Sequence, residues 1–314
     1  MGRGILYSEY RKNESMAVTD AISLIPTFGA PGSDNVLASE TLDPVPDIPI
    51  GRISAVSGEE IDNYLQKVKQ YELAAVTGQQ TIKDRAWMKT GIHAIGGSDP
   101  FLQAVIYGYM NANKTILEDT LMGANIYSFS KNSSLSVEQL NSNELQDKFS
   151  EGISILTYFG HSSSNTLEFN IDDPTTYSNQ GKYPLFLVNG CNAGNFFVYD
   201  TMRRQGGGLT LSEKYILAKE RGSIAFLAST HFGIVNYLNI YTNSLYTEMS
   251  GGSYGKSIGE TQEARRAIDS SRVEEGVYGR RLQSLPRLLS RGFRGRTVSR
   301  IEPPRRLRPQ LEAL

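Results

Sequence analysis

Cysteine, tryptophan and histidine are scarce in this 314-residue chain, which has one, one and three of them respectively. A single cysteine excludes an intrachain disulfide framework, although it does not decide the compartment in which the protein works. No apolar run approaches the roughly 18 residues of a transmembrane helix. We also expect no signal peptide, because the apolar start is short and charged residues follow it at once.

The charge balance is uneven along the chain. The net charge is −1, but from Ala264 onward there are 13 arginines, no lysine and five acidic residues. That tail therefore carries +8, and residues 1–263 carry −9. With 39% hydrophobic residues, the rest of the chain can bury the core of one large α/β domain or two small ones.

The arginine-rich tail has two interpretations. Stretches such as residues 291–296 (RGFRGR) could bind RNA as a disordered basic arm. We favour the hypothesis that a reading-frame change leaves it unstructured, because a helical pattern stops abruptly at residues 260–264. This divides the chain into a domain at 1–263 and a tail at 264–314.

Two short apolar runs, residues 153–159 and 183–188, each end in a glycine turn with a reactive side chain. Such runs are typical of strands that are buried on both faces. His161 and Cys191 follow them, and sites in open parallel sheets lie beyond the carboxyl ends of the strands. The matched pattern predicts that the two strands are neighbours in a parallel sheet, with His161 and Cys191 facing one cleft. A lone cysteine with a histidine elsewhere is a candidate nucleophile and base. Taken singly, either residue is more often structural, a buried thiol or a satisfied polar group.

The two turns carry a family resemblance. Residues 158–162 (YFGHS) and 188–194 (VNGCNAG) resemble the His and Cys motifs of the gingipain family of cysteine peptidases. Residues 46–53 (PDIPIGRI) and 222–230 (GSIAFLAST) are similar to two further strands of that family. The resemblance covers residues 1–261. It implies a caspase-like α/β fold with three layers and a mainly parallel sheet, incomplete at its amino terminus.

The resemblance also implies an activity. Members transfer an acyl group from a peptide to a thiol, and water or an amine then resolves the acyl-enzyme. The amino-acid sequence at residues 47–52 and the serine-rich turn after His161 resemble those of sortase-like members of the type IX secretion system. We therefore expect a polypeptide substrate, secretion-system partners and no cofactor. We also expect a location at the cell surface, on the outer membrane or outside the cell.

The family pattern assigns roles to particular residues. His161 and Cys191 are the expected catalytic dyad, and the backbone N–H groups of Ser162 and Cys191 are the expected oxyanion donors. Some members have an acid near position 99 that orients the histidine. Asp99 is the nearest acid here, but we favour a role as the cap of the following helix. Asn192 and His231 are weaker candidates for the substrate pocket, and His231 is the alternative base.

Two other features have less specific interpretations. Asp34, Glu40, Asp43 and Asp47 could hold a structural calcium ion, although their irregular spacing favours a solvated loop. His93 lies within an apolar strand pattern and is expected in the core.

The remaining pattern predicts elements along the chain. Strands are predicted at residues 47–53, 89–95, 126–129 and 222–229. Helices are predicted after a capping box at Ser57 and Glu60, at residues 100–124, 136–152, 211–220 and 236–249.

Two rival functions stay open. One is a surface or secretion module that keeps the fold without turnover. The other is nucleic-acid binding through the tail, which ranks last because the acidic body would repel the same ligand.

Overall fold

A computed structural model describes residues 1–39, 47–77, 81–131, 142–258 and 260–261. Within them, five strands form one parallel sheet in the order β2-β1-β3-β4-β5. The strands are β1 (Thr90–Ile95), β2 (Asn125–Ser130), β3 (Ile155–Phe159), β4 (Leu185–Asn189) and β5 (Ala225–Ala228). The strand order reverses between β1 and β3, which is where open α/β sheets form a crevice for ligands.

Helices connect and flank the strands. The α-helices are α1 (Tyr7–Lys12), α2 (Ala17–Ile22), α3 (Gly58–Val76), α4 (Ile82–Arg85), α5 (Pro100–Leu117), α6 (Ser142–Glu151), α7 (Leu211–Leu217) and α8 (Val235–Ser250). Short 3₁₀ helices cover Asn35–Ala38, Ala86–Lys89, Pro174–Thr176 and Thr201–Gln205. None of the helices described here is long and apolar enough to cross a membrane.

The sheet separates two apolar cores, so the domain has three layers. On one face Leu156 and Phe186 pack with Phe149 of α6 and Tyr215 of α7. On the other face the strands pack against α5 and α8, with Tyr246 of α8 among the buried side chains. All five residues of β3 are buried, as the continuous apolar run predicts for a central parallel strand. The predicted α/β fold with a mainly parallel sheet is confirmed.

Several element boundaries differ from the sequence predictions. The strand predicted at residues 47–53 is wrong, because the segment forms no strand and does not join the sheet. The Ile53 carbonyl oxygen at its end accepts a hydrogen bond from the Gly2 N–H, and Ala55 just beyond it accepts one from the Arg3 N–H, both at 2.9 Å. Pro49 within it has no N–H to donate to a ladder.

Other predicted elements are present but shorter. The helix predicted at residues 100–124 ends at Leu117, where a turn with Gly123 at φ +59° follows. The strand predicted at 222–229 and the helix predicted at 211–220 occupy only Ala225–Ala228 and Leu211–Leu217. The predicted helix start at Ser136 and the tail after residue 263 lie outside the described residues.

Candidate active site

The His161 and Cys191 turns lie side by side at the carboxyl end of the sheet. Their strands, β3 and β4, are parallel neighbours with Phe159 opposite Asn189, as the matched motifs predict. The Ser162 hydroxyl donates to the Cys191 carbonyl oxygen at 2.8 Å. The two turns are therefore joined directly as well as through the sheet.

Glycine permits this close approach of the two turns. A Cβ on Gly190 would collide with the Ser162 hydroxyl and would lie 2.9 Å from the Gly160 carbonyl oxygen. Any larger residue at position 190 would therefore push the cysteine turn away from the histidine turn.

The cysteine turn is also fixed to the loop after β5. Asn192 adopts the left-handed conformation at φ 58°, and its N–H donates to the His231 carbonyl oxygen at 2.9 Å. The Gly233 N–H points at Cys191 Sγ with an N–S distance of 3.4 Å. An N–H aimed at the sulfur would stabilise negative charge there during nucleophilic attack.

The His161 imidazole is exposed and leans toward the turn after β1. Its Nε2 lies 3.1 Å from the Ser98 hydroxyl. No hydrogen bond between His161 and Cys191 occurs in the described structure. Catalytic hydrogen bonds are often long or absent before a substrate binds, so this geometry alone does not exclude a dyad.

Asp99 acts as the N-cap of α5. One carboxylate oxygen accepts from the Phe101 and Leu102 N–H groups, each at 3.0 Å. The group that contacts the imidazole is the neighbouring Ser98. Sequence reasoning missed Ser98, although its place in the Gly-Gly-Ser-Asp turn after β1 was the available signal.

The two predicted oxyanion donors are backbone N–H groups at the carboxyl end of the sheet. The N–H groups of Ser162 and Cys191 belong to the joined turns, and in the described structure neither donates to a protein acceptor. Both are therefore available to a substrate oxygen, and their role stays a prediction.

His231 and His93 differ sharply in their surroundings. His231 is exposed, and its ring packs edge-on against Phe232 with centroids 4.6 Å apart. His93 is fully buried on the α8 side of β1, where Nε2 lies 3.1 Å from the Tyr246 hydroxyl. Burial, together with the Lys114 ammonium, lowers the pKa of His93 to about 3. His93 is thus a neutral core residue, as its strand position predicts.

An apolar cavity of about 360 Å³ opens beside the cysteine turn. Asn189 and Gly233 line it. Asn189 is two residues before Cys191 in the chain, and the Gly233 nitrogen lies 3.4 Å from Cys191 Sγ. The other lining side chains come from β4, β5, the following loop and α8: Leu187, Val188, Leu227, Ala228, Ser229, Phe232, Ile234, Tyr237, Leu238 and Tyr241. Among the residues that the structure describes, no charged side chain lines this cavity. The sequence gives little sign of it, because β4, β5, the loop after β5 and α8 all contribute its walls.

No cluster of three or more metal-binding side chains occurs in the part of the chain that the structure describes. Asp34, one of the proposed calcium ligands, instead forms an ion pair with Arg52 at 2.5 Å. Glu40 and Asp43 lie outside the described residues, so a calcium site stays a hypothesis.

Comparisons with known proteins agree on the family and the fold. Residues 4–277 match the sequence profile of Peptidase family C25. The Arg-specific cysteine proteinase gingipain R (RgpB) aligns with TM-score 0.61 at 16% identity, covering 79% of this chain and 56% of that chain. The complex of Porphyromonas gingivalis RgpB pro- and mature domains aligns with TM-score 0.58 at 18% identity, covering 78% of this chain and 57% of that chain.

These solved neighbours support the caspase-like fold that the sequence resemblance implies. The chain spans less than two thirds of their length. Among curated proteins, none matches this chain at a significant level.

Proposed function

Because this chain belongs to Peptidase family C25, a family of cysteine peptidases, we propose that Cys191 and His161 cleave a peptide bond by thiol acyl transfer. The observation that carries the proposal is the junction of the two turns at one end of the sheet. The Ser162 hydroxyl holds them together at 2.8 Å from the Cys191 carbonyl oxygen. The proposed nucleophile and base therefore come from adjacent strand ends.

The reaction would begin with proton transfer. His161 takes the proton of the Cys191 thiol, and the sulfur attacks the peptide carbonyl carbon. The imidazole is exposed, and its described side-chain partner is the Ser98 hydroxyl, so it can turn toward Sγ without disrupting a buried contact.

The carbonyl oxygen then becomes an oxyanion, which the Ser162 and Cys191 N–H groups would hold. The C–N bond breaks, and the departing amine takes the proton from His161. This leaves a thioester on Cys191. Water releases the acid in a peptidase, and an acceptor amine forms a new amide in a sortase.

The apolar cavity is the proposed site for a substrate side chain. It begins at Gly233, whose N–H points at the sulfur. Gingipain R is Arg-specific. In the described part of this chain, no acidic residue lines the cavity to pair with arginine. We therefore expect this chain to prefer an uncharged apolar side chain such as leucine.

More specifically, we propose sortase activity in a type IX secretion system at the cell surface. This proposal is supported by the amino-acid sequence of residues 47–52 and by the serine-rich turn after His161. The test is incubation of the full chain with a leucine-containing peptide amide and a competing amine. Mass spectrometry of the products then distinguishes transfer from hydrolysis. If the Cys191→Ala variant gives the same products as the wild type, thiol chemistry is excluded.

A non-catalytic surface module is the second candidate. It is favoured by the absence, in the described structure, of a hydrogen bond between His161 and Cys191. The alkylation rate of the single thiol by iodoacetamide separates the two functions. A His161→Ala variant should react more slowly if the imidazole activates the thiol, and at the wild-type rate if it does not.

A further inference from the structure

Glu168 is a buried acid at the end of the histidine turn. Its side chain is 8% exposed. Oε2 accepts hydrogen bonds from the Gly97 N–H at 3.0 Å and the His161 N–H at 2.9 Å, and the Tyr158 hydroxyl lies 3.1 Å from it. Oε1 accepts from Lys131 Nζ at 3.2 Å. Four groups from three strand ends therefore meet on one carboxylate.

The hydrogen bonds to Glu168 Oε2 hold the backbone next to Ser98 and the backbone of His161, the two residues whose side chains are in contact. Gly97 directly precedes Ser98, whose hydroxyl lies 3.1 Å from His161 Nε2. The N–H of His161 itself is the second donor to Oε2. One oxygen of Glu168 thus holds the backbone of the histidine turn and the backbone of the Ser98 turn together.

The two turns are shaped around this carboxylate. A Cβ on either Gly96 or Gly160 would collide with Glu168 Oε2. Glycine at both positions lets the two turns approach the carboxylate without displacing it. A close approach that depends on two glycines in separate turns indicates a built contact rather than an incidental one.

The neighbouring groups satisfy the buried charge. The Lys131 ammonium compensates the carboxylate, as a buried charge requires. The Tyr158 hydroxyl has one proton, and both Glu168 Oε2 and the His161 carbonyl oxygen lie within hydrogen-bond distance of it. Burial, with the nearby Glu168 carboxylate, raises the pKa of Tyr158 well above its usual value, so the hydroxyl keeps its proton as a donor.

We propose that Glu168 is a positioning residue for the catalytic histidine, acting through the backbone N–H groups of His161 and Gly97 rather than through the imidazole. It holds the histidine turn against the Ser98 turn while Asp99 caps α5. This inference rests on the proposed function for its catalytic consequence. We call the two hydrogen bonds from the His161 and Gly97 N–H groups to Glu168 Oε2 the clamp. The clamp can be observed by amide hydrogen exchange even in a protein without turnover.

Two matched double variants test the clamp in the full chain. Glu168→Gln with Lys131→Met removes the buried ion pair but leaves an amide oxygen to accept from both turns. Glu168→Leu with Lys131→Met removes the ion pair and the acceptor together. The two proteins therefore differ only in the group at position 168. Each is compared by kcat, KM and amide hydrogen exchange in residues 96–98 and 160–162.

The clamp predicts a split between these variants. The leucine variant should lose about tenfold to 100-fold in kcat with KM changed by less than about threefold, because misplacement of a reacting group by about 1 Å has effects of that size. Exchange should accelerate in the two turns and not in β4. The glutamine variant should stay within about threefold of wild type in kcat and keep its turns protected. Equal kcat and equal turn protection in the two variants would overturn the clamp.

Other outcomes also decide the matter. If the leucine variant does not fold, Glu168→Asp withdraws the carboxylate from both N–H groups while keeping its charge, and unchanged turn protection in that variant contradicts the proposal. If the wild type has no turnover but the exchange pattern is as expected, the proposed function fails and the clamp stands. If the wild type turns over and the leucine variant keeps its kcat, Glu168 has no positioning role.

Discussion

Replacing His93 with glutamine should remove a specific loss of stability at acidic pH. His93 is fully buried, and its pKa falls from 6.5 to about 3 on folding because burial, aided by the Lys114 ammonium, disfavours the imidazolium. As pH falls, the unfolded chain binds the proton first. Stability is therefore lost from about pH 6.5 down to about pH 3. Between pH 7 and pH 5 this loss amounts to about 2 kcal/mol for the single group.

Urea unfolding of wild type and His93→Gln, followed by circular dichroism at both pH values, measures the difference. Glutamine can still bond the Tyr246 hydroxyl, which lies 3.1 Å from the imidazole in the wild type. The other titrating groups are common to both proteins, so their contributions cancel in the comparison. Wild type should lose about 2 kcal/mol more than the variant on acidification. An equal loss in both proteins would show that His93 does not resist protonation in the folded state.

Further substitutions test the site and its surroundings. Asp99→Ala should lower the free energy of unfolding by about 1 kcal/mol in urea titrations, as loss of an N-cap does. Its kcat should stay within about threefold of wild type. A larger fall in kcat would make Asp99 the acid that orients His161. Gly190→Ala should lower kcat/KM for a peptide amide by about tenfold or more, because the new Cβ collides with the Ser162 hydroxyl; an unchanged value would contradict the tight junction of the turns. Peptides with leucine at the cleaved bond should give a kcat/KM at least about tenfold above those with arginine, and the reverse order would exclude the apolar cavity as the side-chain site. Removal of residues 264–314 should leave the turnover rate unchanged if the tail is out-of-frame sequence, whereas a loss of activity would give the tail a structural role.

The sheet could be predicted from the sequence because its signals are local. The runs before His161 and Cys191 are continuous, apolar and bounded by glycine, which is the pattern of central parallel strands. Their parallel pairing followed from the matched motifs. The segment at residues 47–53 has similar apolar character, but it lies outside the sheet because pairing with a neighbour is decided by the rest of the fold.

The supporting residues of the site could not be predicted in the same way. Ser98 contacts His161 across a sequence separation of 63 residues, and Glu168 bonds Gly97 across 71. The local pattern of apolar and polar residues along the chain carries no information about contacts between residues so far apart in sequence. An acid between two apolar neighbours, as in Leu167-Glu168-Phe169, was a weak sign of burial, and it identified neither the partners nor the role.

Peptide-bond cleavage by wild type, Cys191→Ala, His161→Ala and His231→Ala tests the proposed dyad most directly. The assay measures kcat/KM on one leucine-containing peptide amide, with circular dichroism to verify that each variant is folded. Cys191→Ala should abolish turnover because the chain has no second thiol. His161→Ala should cost nearly as much, since removing either member of a catalytic unit disables both, and His231→Ala should change the rate far less. A Cys191→Ala protein that keeps its rate, or a greater loss in His231→Ala than in His161→Ala, would contradict the dyad.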